Sequence, residues 1–257
     1  MNNNVKEIKR RILQVSHDTH EGHVPSAFSI LDILYVLYDE VMNVDPSNPE
    51  KEDRDYLIVS KGHSAVGIYA VLEEKGFIPR GELDSFAKFG SILGGHPDRN
   101  KVPGVEASTG SLGHGLPMAV GMAMGLGYKN NSQRVFCIAG DGELNEGSMW
   151  EAVILAGQHA CSNLVCIVDY NHSLDRSIIW GELVGKFQAF GWDAISIDGH
   201  DHEELKKALS ITDQKKPLAI IANTIKGNGC PSMENNPAWH HRSPGDEELA
   251  QFIKELA

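Results

Sequence analysis

Residues 134–171 read RVFCIAGDGELNEGSMWEAVILAGQHACSNLVCIVDYN. The runs RVFCIA (134–139) and LVCIVD (164–169) are of strand length and apolar but for Arg134 at the start of the first and Asp169 at the end of the second. A helix is predicted between them, from Gly147 to His159. Strand, helix and strand in this order make a βαβ unit with parallel strands. Strands without a polar face are buried on both sides, so helices are expected over both faces of a mostly parallel sheet, an α/β fold. The first strand leads into Gly140-Asp141-Gly142 and the second stops just before Asn171, thirty residues after Asp141. A βαβ unit is about that long, so both side chains reach the same edge of two parallel strands.

The alternation continues outward. Residues 4–17 read as a helix with an apolar stripe of Val5, Ile8, Ile12, Leu13 and Val15. Residues 29–41 read as a second helix, with Ser29 as N-cap and Asp32 in the first turn. YLIVS (56–60) is a buried strand that ends at Lys61-Gly62-His63, and a helix follows over 65–75. A Gly- and Pro-rich stretch spans 90–115, then an apolar helix, LPMAVGMAMGLGY. Its Met118, Met122 and Met124 are expected in the core. Further strands are predicted at 192–197 and 217–225, with a helix near 202–210. The charged run 51–55 reads as a solvated loop. With no repeat, low-complexity tract or linker, residues 1–257 are expected to form a single domain. Ligands of such sheets bind at the carboxyl ends of the strands, where the His63, Asp141 and Asn171 segments fall.

Composition excludes some classes. The formal net charge of −12 argues against nucleic acid, which needs clustered Lys and Arg. A small phosphorylated ligand is still compatible, because backbone amides, a metal and a few local cations suffice to hold it. The four cysteines form no paired CxxC, and Cys137 and Cys166 fall inside strands as ordinary buried thiols. The N-terminal MNNNVKEIKRRILQVS has no apolar core of a signal peptide, and no run approaches the ~20 apolar residues of a membrane span. A cytoplasmic location away from membranes is expected.

Asp141 offers a hard anionic oxygen and Asn171 a neutral amide oxygen. With a backbone carbonyl and two diphosphate oxygens, they nearly fill an octahedron about Mg²⁺. Gly140 and Gly142 let a diphosphate approach the backbone, and the N–H groups of the following helix favour an anion. Asp-Gly is also ordinary turn chemistry, so taken alone the segment leaves a plain strand-end turn open.

The surrounding motifs narrow the choice. Gly22-His23-Val24-Pro25, Ser60-Lys61-Gly62-His63, Gly95-His96-Pro97-Asp98 and Ser108-Thr109-Gly110-Ser111-Leu112-Gly113 precede GDG. Lys226-Gly227-Asn228-Gly229 and Met233-Glu234-Asn235-Asn236-Pro237-Ala238-Trp239-His240 follow Asn171. In this order, over nearly the whole chain, they resemble the transketolase family, and the closing pair resembles the N-terminal half of split transketolases. The resemblance implies the thiamine diphosphate-binding fold of the diphosphate-binding (PP) type. It implies thiamine diphosphate and a divalent cation, Mg²⁺ or else Ca²⁺ or Mn²⁺, as cofactors. Asp141 and Asn171 would hold the metal by side chains and Ser173 by its carbonyl. Gly142, Lys226, His63 and His240 would contact the diphosphate beside Gly140, with Gly110 and Leu112 near the cofactor's rings. His23 and His96 would hydrogen-bond the donor sugar. Glu146 and Glu151 resemble carboxylates at the dimer interface.

The implied reaction moves a two-carbon ketol unit from a ketose, or its phosphate, to an aldose acceptor. Imidazoles suit it, because alkoxides form and collapse and protons must be shuttled near pH 7. Twelve histidines is a high count, and His17, His20, His114, His159, His172, His200 and His202 keep an ordinary surface or core reading. The glutamate that activates the cofactor and the aromatic that stacks on it belong to a second domain that this sequence lacks. A partner chain carrying them is therefore expected, in an α2β2 heterotetramer. The sequence departs from the family at His241, usually Gly; at Phe28, which narrows the donor region or packs under it; and in a shortened loop after Asn171, with helix expected from Ile179. Trp239 either covers the cofactor mouth or packs. A deoxyxylulose phosphate synthase-like enzyme and a non-catalytic cofactor-binding partner are the alternative functions.

Overall fold

The structure, a computed structural model, describes residues 2–173 and 178–256. Five strands, β1 (Tyr56–Val59), β2 (Val135–Gly140), β3 (Leu164–Tyr170), β4 (Asp193–Asp198) and β5 (Leu218–Asn223), form a parallel sheet. Their order is β1-β2-β3-β5-β4. Each strand lies within a residue or two of its expected bounds. β2 and β3 pair from Val135–Leu164 to Gly140–Asp169, so Asp141 and Asn171 leave the sheet side by side.

Pleating sends alternate side chains to opposite faces. Phe136 and Ile138 of β2 enter one core, with α1 (Asn3–Thr19), α2 (Val24–Val36), α3 (Ala65–Glu74), α7 (His202–Leu209) and α8 (Asp246–Glu255). Val135, Cys137 and Ala139 enter the other, with α4 (Gly115–Tyr128), α5 (Gly147–Gln158) and α6 (Val184–Ala189). The apolar stripe of α1 is buried as read from the sequence. All four cysteines are buried and free. Among the described residues, no helix is long and apolar enough to cross a membrane.

Several expectations need correction. The second helix starts at Val24, not Ser29, with Pro25 in its first turn, where a missing N–H costs nothing. Every residue of α2 is buried, so no amphipathic stripe marks its start. Ser29 is interior, and Phe28 packs in the core rather than lining a site. Met118 is 39% exposed, while Met122 and Met124 pack partly buried as expected. The 51–55 loop is solvated only in part: Arg54 is buried and its Nε donates to Glu106 (2.7 Å), and buried Asp55 accepts from the Asn43 and Arg134 amides. Helix does not begin at Ile179. Residues 178–183 are irregular, Gly181 adopts φ 62°, and α6 starts at Val184. Residues 174–177 of the shortened loop lie outside the described residues. Trp239 is buried edge-on to Phe252 of α8, a packing role.

Candidate active site

Turns leaving β1, β2, β3 and β5 at their carboxyl ends meet in a cleft of about 800 Å³. Lys61, His63, Leu112, Gly140, Asp141, Gly142, Asn171, Ser173, Lys226 and His240 line it, as do Glu143 and Asn235–Pro237. The predicted residues His23, His96 and Gly110 do not line the cleft itself. His23 borders it through ring contacts with His63 and His240, at 5.2 and 5.4 Å between centroids.

Asp141 Oδ1 accepts from the Gly142 N–H at 2.8 Å, and Oδ2 accepts from the Ser173 N–H at 2.9 Å. The same Ser173 N–H lies 3.1 Å from Asn171 Oδ1. Both oxygens therefore converge on one point. His172 brings Ser173 there by adopting a left-handed φ of 58°. Burial, then the nearby Asp169 charge, pushes the Asp141 carboxyl above its ordinary range. No Lys, Arg or His pairs with this carboxylate among the described residues. A buried carboxylate without a cation, beside an amide oxygen, suits a hard divalent metal. Two side-chain oxygens fill only part of an octahedral ion's shell, so such a metal would take its remaining oxygens from backbone carbonyl and ligand.

Under this pair lies a network that the motifs do not announce. Asp169, fully buried at the end of β3, accepts from Lys61 Nζ, Thr224 Oγ1, Ser29 Oγ (2.8 Å) and Asn171 Nδ2 (2.8 Å). Burial alone would raise its carboxyl; the Lys61 charge and these hydrogen bonds more than offset that and hold it below the usual range. The bond from Asn171 Nδ2 sets the amide so that Oδ1 faces Asp141. A charged residue closing the otherwise apolar VCIVD was the available signal, but its partners other than Asn171 lie 55 to 140 positions away. Glu143, also unforeseen, accepts from Ser60 Oγ and from the Gly113 amide (2.8 Å), joining the GDG turn to the 108–113 loop. Gly62 allows the same loop to sit close: a Cβ there would stand 2.7 Å from the Thr109 carbonyl carbon. At Gly110 a Cβ would stand 2.9 Å from the His96 ring, so glycine lets that ring close over the backbone.

Hydrogen bonds fix the histidine tautomers. His23 Nδ1 lies 2.9 Å from the His240 carbonyl, so Nδ1 carries the proton and Nε2 is left as an acceptor. Lys226 Nζ donates to His240 Nδ1 at 2.9 Å, which leaves the proton of neutral His240 on Nε2. Burial pushes His23 down to about 4 and, with Lys61, His63 down to about 2, so both are neutral near pH 7. Burial and Lys61 lower the Lys226 ammonium to about 8. His241 stacks on His23 at 4.4 Å and 20°, adding an imidazole beside the predicted set. Glu146 and Glu151 stand exposed at the start of α5, outside the cleft lining.

Comparison with known proteins gives the family. Residues 2–257 match the family described as transketolase, thiamine diphosphate binding domain. The chain is 36% identical over 256 residues to one of the subunits of apulose-4-phosphate transketolase from Phocaeicola vulgatus, covering 97% of this chain and 91% of that one. It is 38% identical over 242 residues to the 6-deoxy-6-sulfo-D-fructose transketolase subunit SqwG of a Clostridium species, covering 91% and 88%. The fold superposes on transketolase from Leishmania mexicana with a TM-score of 0.91 at 30% identity, over 98% of this chain but 40% of that enzyme. The chain belongs to the transketolase family of transferases, in which it corresponds to the N-terminal, thiamine diphosphate-binding part.

Proposed function

We propose that this chain is the N-terminal subunit of a two-component transketolase and holds thiamine diphosphate by its diphosphate through a divalent metal, Mg²⁺ in the first instance. The observation that carries the reading is the convergence of Asp141 Oδ2 and Asn171 Oδ1 on one N–H, with no side-chain cation in ion-pair contact with that carboxylate among the described residues. Asp141, Asn171 and the Ser173 carbonyl hold the metal. Gly142, His63, Lys226 and His240 meet the diphosphate, and Gly110 and Leu112 lie toward the rings. When bound, thiamine diphosphate supplies a nucleophilic carbon and an electron sink for cleavage beside a ketose carbonyl.

The chain's own part is binding and proton handling. Neutral His23 presents Nε2 as acceptor to a donor-sugar hydroxyl, His240 presents Nε2–H as donor, and His96 binds the same sugar. The two relatives described above are named for different sugars, apulose 4-phosphate and 6-deoxy-6-sulfofructose. A ketose with an anionic group, handing a two-carbon unit to an aldose, is the substrate class that fits. A complementary chain supplies the activating glutamate and the stacking aromatic. Glu146, Glu151 and the exposed apolar side chains of α4 and α5 support an α2β2 assembly. Four free, buried thiols fit a reducing cytoplasm.

The test is a ketol-transfer assay of the chain with and without a co-expressed complementary subunit, using a ketose phosphate and, separately, pyruvate as donor. Turnover is expected only when the ketose phosphate and the complementary subunit are both present. Full activity of this chain alone, or an unchanged rate in Asp141→Ala, would sink the proposal.

A further inference from the structure

The turn after β5 carries Lys226, and something besides the sheet holds it. The last bond to the neighbouring strand is Thr224 N–H to Tyr170 O at 3.2 Å. The next amide, Ile225 N–H, is accepted by His200 Nε2 at 2.9 Å. His200 sits on the turn after β4. Since Nε2 accepts, the ring proton is on Nδ1, and Nδ1–H donates to Asp32 Oδ2 of α2 at 2.9 Å. The other tautomer would set two N–H groups against each other at Ile225 and a lone pair against a carboxylate. Asn228 Nδ2 donates to Asp32 Oδ2 at 3.4 Å; its 2.8 Å approach to His200 Nδ1 sets donor beside donor in this tautomer and adds no hydrogen bond, one mismatch against the two of the other tautomer.

Asp32 is almost fully buried, and His202 Nε2 lies 2.8 Å from its other oxygen. Lys9 Nζ donates to the Asn228 carbonyl at 2.8 Å, and the Gly227 N–H to the Pro25 carbonyl at 3.1 Å. The turn is thus gripped on both sides of Lys226. Neither Asp32 nor His200 lines the cleft, and neither touches Asp141, Asn171 or the imidazoles there.

We propose that His200, oriented by Asp32, is a positioning residue that fixes the turn bearing Lys226 and so the placement of that ammonium against the diphosphate. The proposal rests on Lys226 being a diphosphate contact, as read above. The test is a calorimetric titration of thiamine diphosphate, with Mg²⁺ present, into the full chain co-purified with its complementary subunit. Lys226→Ala, His200→Phe, His200→Ala, His200→Gln and the double variant Lys226→Ala/His200→Phe are compared with the wild type. Thermal melting of each selects, between Phe and Ala, the variant that folds like the wild type.

Lys226→Ala and the chosen His200 variant are each expected to weaken binding about tenfold, the scale for losing a group that orients a ligating residue. Groups acting through one contact are not additive. The double variant is therefore expected to bind no more than about twofold weaker than Lys226→Ala alone. His200→Gln, which keeps one donor and one acceptor, is expected to restore most of the affinity. Unchanged affinity in a folded His200→Phe or His200→Ala overturns the proposal. So do losses that multiply in the double variant, which would show His200 acting independently of Lys226. Unchanged affinity in Lys226→Ala overturns the diphosphate reading itself and this inference with it, and it is told apart because it shows in that single variant.

Discussion

Asp169 and Lys61 carry a larger share of the site than any motif suggested. Their buried ion pair is retained with hydrogen bonds on every side, and breaking one partner leaves the other charge stranded. Asp169→Ala is expected to cost about 3–5 kcal/mol in chemical denaturation, the range for a buried pair that loses one member. Metal affinity, followed by calorimetry, should fall about 10- to 100-fold, because Asn171 loses the bond that turns Oδ1 toward Asp141. Lys226 gives a pH prediction with a definite sign. Its ammonium titrates near 8 before any anion is bound, so the chain is charged there below that pH and neutral above it. A diphosphate needs the charge, so its affinity should fall as pH rises through about 8, and Lys226→Gln should bind more weakly at pH 7 with a flatter profile. At this scale the sequence made Asp141, Asn171, His63 and Lys226 legible, since their chemistry is recognisable from residue type and motif. Asp169, Glu143 and His200 escaped because a buried polar residue declares itself only through partners, and His200 meets Asp32 from 168 positions away.

Among the elements, β2, β3 and the helix between them were legible because two apolar runs and one Gly-Asp-Gly punctuate them unambiguously. α2 was misplaced at its start because burial on all sides erased the period that marks a helix edge. α8 was not read at all, although DEELAQFIKE carries acidic residues in its first turn and Lys254 in its last, the pattern that favours a helix dipole. Motifs apart in sequence become one object through close backbone packing, and Gly62 is where this can be probed. A methyl at Gly62 would press on the Thr109 carbonyl carbon and the Gly110 nitrogen at 2.7 and 2.8 Å, and backbone cannot rotate away as a side chain could. Gly62→Ala is expected to destabilise by about 1–3 kcal/mol in thermal or urea unfolding, the range for overpacking. It should also weaken cofactor binding, because the displaced loop carries Gly110 and Leu112. Wild-type stability and affinity in that variant would show that the two turns do not depend on their close contact.

For the molecule as a whole, the surface formed by α4 and α5 is the informative one. Tyr128 is 76% exposed, Ile154 49%, Leu155 45% and Met118 39%, and all four lie on these two helices, which pack together. Isolated exposed apolar side chains are ordinary, but several on one helix pair make this face the candidate for the subunit contact proposed above. Gly121, Gly125 and Gly127 of α4 are exposed, and a Cβ at any of them would meet open space, so a partner backbone could approach this helix closely there. Burying the four apolar side chains would stabilise an assembly by the usual ~25 cal/mol per Å² of apolar surface, before the cost of association is subtracted. A charge placed there would oppose assembly without disturbing either core, because these side chains belong to neither. Ile154→Glu with Leu155→Glu is therefore expected to leave the melting temperature of the isolated chain within a few degrees of the wild type. In sedimentation velocity with the complementary subunit, the same variant should shift mass from the proposed heterotetramer to smaller species and lower ketol transfer in proportion. An unchanged mass distribution would mean that this face is not the one on which the subunits meet.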